Sequence, residues 1–82
     1  MNLERAAMKG MLAEKKKRLN EIQIRAEGLV ISIRQLVNPY VGLLELERLD
    51  LAAMQAQELK ELQDEARTLA DEIARLEEDL YG

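Results

Sequence analysis

The residues best suited to chemistry in this sequence are four consecutive cations at positions 15–18. Clustered lysines and arginines bind phosphates and other anions. Four successive helical residues point in all directions around the axis, so some of them must face away from any single neighbouring helix. Together with a fifth cation further along the chain, they form the candidate anion-binding site, which is Lys15, Lys16, Lys17, Arg18 and Arg34.

The sequence offers few residues that could carry out catalysis. The sequence contains no histidine and no cysteine, which excludes nucleophile–histidine mechanisms, zinc sites of Cys and His, and disulfides. Carboxylates such as Asp71 and Glu72 are adjacent, and adjacent residues on a helix do not face each other. The four glycines are scattered and form no phosphate-binding loop. We therefore expect a protein that is not an enzyme, with no catalytic residues, no metal and no cofactor.

The composition indicates long amphipathic helices. Of the 82 residues 48% are hydrophobic and 34% are charged, but only Tyr40 and Tyr81 are aromatic. No apolar run is long enough to span a membrane, and the N-terminus lacks the apolar core of a signal peptide. We expect one all-α domain over residues 1–82, in the cytoplasm.

Two segments carry the seven-residue repeat of a coiled coil. In the first, Leu12, Leu19, Ala26 and Ile33 recur every seven residues, and Lys15 interrupts the companion series. The second segment has the same repeat from residue 59 to residue 80. Upstream of it the apolar stripe is expected to continue through Leu46, Leu49, Ala53 and Ala56, which would require a stammer that overwinds the coil.

A single break separates the segments. Proline cannot continue the first helix, and the neighbouring glycine allows the chain to reverse. We predict helix 1 over about residues 3–37 and helix 2 over about residues 43–80. Arg34 and the turn residues could recognise a ligand, or they could simply cap the helices. The turn is Asn38, Pro39, Tyr40 and Gly42.

Charge favours an antiparallel two-helix hairpin. Residues 1–38 carry a net charge of +4 and residues 39–82 a net charge of −8, so the halves attract when the chain folds back on itself. Folding about residue 40 sets Leu19 opposite Leu62 and brings the basic run towards Glu61, Asp64 and Glu65. The alternative, a long helix kinked at the proline in a parallel dimer, places like charges side by side.

The hairpin has more apolar residues than one seam can bury. Several lie outside the repeat and on the loop half of both helices, and large exposed apolar patches usually mark interfaces. We therefore predict a homo-oligomer, most simply a dimer that forms a four-helix bundle. The predicted oligomer or partner interface is Ile24, Val30, Ile31, Val37, Leu44, Leu51 and Met54.

Residues 26–40, AEGLVISIRQLVNPY, are followed by an acidic helix rich in Leu, Ala and Glu. This stretch resembles small helical accessory proteins of Mu-like transposable phages and prophages. The resemblance implies an accessory protein that acts on a host or phage protein in the bacterial cytoplasm, and it carries no active-site residues.

Three functions remain open. The first is a non-enzymatic coiled-coil interaction protein that acts as a homo-oligomer on another protein. The second is an oligomeric binder of an anionic ligand or nucleic acid through the basic run, although a pI near 4.9 and scarce aromatic residues disfavour nucleic acid. The third is a structural spacer with no partner.

Overall fold

The computed structural model describes residues 2–38 and 46–82, which form two long helices packed side by side in an antiparallel hairpin. The first helix, α1, runs over Leu3–Leu36, and the second, α2, over Leu46–Tyr81. The molecule is a rod of 64 × 16 × 14 Å. This confirms the predicted all-α hairpin and excludes the single kinked helix. The predicted turn residues Pro39, Tyr40 and Gly42 lie outside the described residues, as do residues 43–45.

Local side-chain chemistry sets the ends of the helices. The Oδ1 atom of Asn2 accepts a hydrogen bond from the backbone N–H of Arg5 at 3.2 Å, which caps the N-terminus of α1. The Nη2 atom of Arg5 donates to the carbonyl of Leu80 at 2.6 Å, and its guanidinium lies 5.8 Å from the ring centre of Tyr81. Arg5 therefore joins the start of α1 to the end of α2.

The core is one seam between the helices, built from the first and fourth positions of each heptad. Among the described residues, its buried members are Leu12, Ile22, Leu29, Ala52, Leu69 and Leu80. Leu29 is the most enclosed of them, with 2% of its surface exposed. A two-helix hairpin can bury only one stripe of each helix, so the remaining faces stay open to solvent.

The expected stammer in α2 is absent from the structure. Ala52 is buried and Gln55 is half-buried, whereas Ala53 and Ala56 are exposed and Leu49 is 44% exposed. The seven-residue repeat therefore continues unbroken upstream of Leu59, with Ala52 and the polar Gln55 in the seam. The repeat from Leu59 to Leu80 fixes the rotation of α2, and the backbone would have to overwind locally to turn Ala53 and Ala56 into the seam.

The register of the hairpin is close to the predicted one. Arg18 meets Glu65, as expected, but Lys15 and Lys16 reach Glu72 and Glu77, further along α2 than predicted. Long side chains lean along the helix axis, so ion pairs can join positions that are not level with each other.

Candidate interaction surface

One side of the hairpin, the charged edge, is lined by arginine–glutamate pairs that cross the seam. Arg18 donates to Glu65 from Nε at 2.6 Å and from Nη2 at 2.8 Å. Arg25 donates to Glu58 in the same two-pronged way, at 2.6 and 2.9 Å. These four residues lie just before the first position of their heptads, and they define the charged edge. Two parallel hydrogen bonds fix the orientation of each guanidinium relative to its carboxylate.

These pairs shift the ionisation of the glutamates. The hydrogen bond and positive charge of Arg18 lower the pKa of Glu65, and Arg25 lowers the pKa of Glu58 in the same way. Partial removal from water opposes both shifts. The charged edge therefore favours the ionised carboxylates and holds the two helices in register.

The basic run is mostly engaged within the hairpin. Lys15 pairs with Glu72, Lys16 Nζ lies 3.5 Å from Glu77 Oε1, and Arg18 binds Glu65. Of the candidate anion-binding residues, Lys17 and Arg34 make no ion pair or hydrogen bond within residues 2–38 and 46–82, and both are exposed. The run does not present four free cations on one face.

The opposite side of the hairpin, the open edge, contrasts with the charged edge. Its residues lie just after the fourth position of each heptad, and an ion pair between Lys16 and Glu77 stands at its end near the chain termini. From there towards the loop its exposed side chains are uncharged. They are Gln23, Val30 and Val37 on α1 and Leu49, Ala56, Gln63 and Ala70 on α2.

A groove of about 650 Å³ runs along the open edge. Its floor is the flank of the seam, including Leu19, Leu59 and Leu62, and its walls include Gln23, Ala56 and Gln63. The short alanine side chains leave the seam leucines accessible from this side. A second groove of about 540 Å³ continues towards the termini beside Ala70 and Glu77.

The predicted interface residues are exposed wherever the structure describes them. The exposed fractions are 63% for Ile24, 42% for Val30, 58% for Ile31, 49% for Val37, 44% for Leu51 and 70% for Met54. Leu44 lies outside the described residues. Exposure agrees with an interface, but whether another chain covers these residues stays a prediction.

The heptad spacing distributes them over different faces. Ile24 and Ile31 lie on the back of α1, opposite the seam, and form an outer face. Val30 and Val37 belong to the open edge, whereas Leu51 and Met54 lie on the other flank, with the charged edge. A second chain packed on any single face would cover only part of the set.

At the loop end of α1, Ile31, Arg34, Gln35 and Asn38 surround a depression of about 310 Å³. The structure thus brings together Arg34 and the predicted turn residue Asn38. The other predicted turn residues, Pro39, Tyr40 and Gly42, lie outside the described residues.

Of the open edge, only Val30 and Val37 were among the predicted interface residues, although the sequence carries a signal for the whole edge. Uncharged residues recur every seven positions at 23, 30 and 37 and again at 56, 63 and 70. On the other flank, the same spacing carries Arg18 and Arg25 against Glu58 and Glu65. The contrast between the two flanks of each repeat therefore predicts the open edge, whereas the positions of large apolar residues do not.

Other binding chemistry is limited in the part of the chain that the structure describes. It holds no group of three or more acidic, histidine or cysteine residues placed to bind a metal ion. Neither described helix is long and apolar enough to cross a membrane. In comparisons with known proteins, no family model, curated protein or solved structure matches this chain.

Proposed function

We propose that this protein is a non-enzymatic coiled-coil interaction protein that works as a homo-oligomer and binds another protein. The observation that carries the proposal is the apolar surface left outside the seam. Ile24, Ile31 and Met54 are each more than half exposed. Isoleucine gains nothing from helix propensity at an exposed position, so its repetition on the outer face is best explained by contact with another chain.

The size and shape of the chain support self-association. The hairpin exposes 6540 Å², whereas a compact monomer of 9.4 kDa exposes about 5000 Å². The excess, about 1500 Å², is larger than the roughly 800 Å² that each partner contributes to a typical stable interface. Two hairpins packed side by side would bury part of this excess surface between them.

Binding of an anion or nucleic acid has less support. Three of the four residues in the basic run pair with glutamates of α2, and those glutamates would compete with any external anion. The proposal therefore places the function on apolar surfaces. The nature of the partner, a host or phage protein in a bacterial cytoplasm, rests on the sequence resemblance alone.

Light-scattering mass after size exclusion, over a concentration series, tests self-association. We expect about twice the 9.4 kDa mass of one chain, or a larger multiple. Chemical crosslinking in bacterial cells then tests partner binding, with Ile24→Glu/Ile31→Glu as the variant and Asn20→Glu, at an exposed position that does not belong to the outer face, as the control. We expect the variant to keep its helicity and to lose crosslinks that the control retains.

A monomer at every concentration would contradict the oligomeric part of the proposal. Identical crosslinks in the wild type, the double variant and the control would contradict a binding role for the outer face.

A further inference from the structure

We propose that the open edge is the contact between two copies of this chain, and that the copies pair with their loops at the same end. This inference rests on the self-association in the proposed function and names the surface responsible for it. The outer face then remains free for a different protein.

Side-chain chemistry assigns the contact to the open edge. A second hairpin on the charged edge would have to remove Arg18, Arg25 and their glutamates from water, and desolvation of such pairs is costly. The groove of about 650 Å³ instead exposes the flank of the seam between short or uncharged side chains. Ala56, in the wall of that groove, has too short a side chain to block a second copy from reaching Leu59 and Leu62.

Charge limits how far the contact extends along the open edge. Val30, Val37 and Ala56 lie towards the loop, whereas Lys16 and Glu77 form an ion pair at the other end. The second copy therefore covers the groove and the open edge from the groove towards the loop, where it removes no charged side chain of that edge from water.

Charges on the rims of the groove decide the orientation. Glu27 and Arg34 on α1 and Lys60 and Arg67 on α2 flank the open edge and make no ion pair within the described residues. Glu27 and Lys60 have the same offset along the axis as Lys15 and Glu72, whose side chains do meet, because residue 27 follows 15 by as much as residue 60 precedes 72. When the loops lie at the same end, α1 packs antiparallel to α2 of the second copy, so Glu27 comes within the same reach of its Lys60.

The opposite orientation is repulsive when the contact is centred on the groove. With the loops at opposite ends, α2 packs against α2 of the second copy, which sets Lys60 near Lys60 and Arg67 of that copy. A two-fold axis repeats every contact, so the same-end dimer gains the Glu27–Lys60 pair twice, whereas the opposite-end dimer brings like charges together along α2.

The first experiment compares two neighbouring residues by light scattering over a concentration series. Val30→Glu places a charge in the open edge, and Ile31→Glu places the same charge on the outer face. We expect Val30→Glu to weaken the dimer roughly a hundredfold, because the two-fold axis buries the unpaired charge twice, and Ile31→Glu to keep the wild-type mass. A dimer that survives Val30→Glu and dissociates with Ile31→Glu would overturn the inference, as would equal masses in both variants.

A second experiment remains informative if Val30→Glu unfolds the chain. Glu27→Lys alone, or Lys60→Glu alone, creates two like-charge pairs in the same-end dimer. Mixing chains that carry Glu27→Lys with chains that carry Lys60→Glu makes both pairs opposite again. We expect native mass spectrometry of the mixture to show mostly heterodimers at low salt, and a statistical mixture of dimers would overturn the orientation.

The two proposals fail in different ways. A wild-type monomer would remove both self-association and the contact. A wild-type dimer whose mass is indifferent to Val30→Glu would remove only the open edge as the contact and would leave the proposed function standing.

Discussion

The charged edge and the open edge border the same seam but perform opposite tasks. On the charged edge, Arg18 and Arg25 satisfy glutamates within the same chain, while Leu51 and Met54 stay exposed on the same flank nearer the loop. On the open edge, uncharged and small side chains leave the flank of the seam accessible. The difference shows how one repeat can specify both the pairing of two helices and the face left for a further contact.

The ion pairs across the hairpin also explain why the basic run is a poor site for external anions. A run of cations in a sequence suggests a binding site, but antiparallel packing against an acidic helix converts it into intramolecular ion pairs. Exposed pairs of this kind contribute little to stability and more to register. Glutamates of the acidic half thus engage three of the four cations of the basic run.

Most of the stability of the hairpin should come from the seam and little of it from either edge. Leu29→Ala tests this, because Leu29 lies in the seam and is 2% exposed. We expect the free energy of unfolding to fall by about 2–5 kcal/mol, from lost burial and the cavity that remains. Ile24→Ala on the outer face should change it by less than about 0.5 kcal/mol.

Both variants are compared with the wild type by urea denaturation at one chain concentration, because association shifts apparent stability. Equal losses for Leu29→Ala and Ile24→Ala would show that the outer face matters as much as the seam.

A polar interruption of the seam gives the next largest effect. The Oε1 atom of Gln55 is buried and accepts no hydrogen bond within the described residues. Gln55→Leu should raise the free energy of unfolding by about 1–2 kcal/mol, because it removes an unpaired polar atom and adds apolar burial.

The matched control for Gln55→Leu is Gln57→Leu. Gln57 is exposed and donates to Glu61 at 3.3 Å, so its replacement should leave stability nearly unchanged. Thermal and urea unfolding measure both variants. A lower stability for Gln55→Leu would mean that the polar atom contributes to the pairing of the helices.

The charged edge gives the smallest effect, visible as a dependence on pH. Because their arginine partners lower the pKa values of Glu58 and Glu65, both residues stabilise the folded state fully above the unfolded pKa of about 4.3. That contribution is lost as the pH falls through the lower folded values. We expect Glu58→Gln/Glu65→Gln to flatten the decline in stability on acidification.

Urea denaturation at a series of pH values measures this slope. The control is Glu14→Gln/Glu78→Gln, which removes the same net charge from two exposed glutamates that are not in an ion pair with an arginine. An equal flattening in the control would assign the effect to net charge and not to the charged edge.

Much of the hairpin could be predicted because its causes are local or periodic. The seven-residue recurrence of Leu12, Leu19 and Ala26 marks a seam wherever the helix lies, and the opposite charges of the two halves favour an antiparallel return. The capping of α1 by Asn2 depends only on the first turn and was equally predictable. Exact partners were harder, since Lys15 and Lys16 reach past their expected positions to Glu72 and Glu77.

Helix identity, antiparallel return and charge pairing follow from the order of the residues, because they depend on periodicity, on net charge and on proline. The choice of Ala52 and Gln55 for the seam, and the division of the flanks into a charged and an open edge, were decided only when the two helices packed. The physical reason is that one chain periodicity is compatible with several rotations of α2 about its axis. Only contact with α1 selects the rotation that buries Leu29 and Leu69, pairs Arg18 with Glu65 and leaves the opposite flank uncovered.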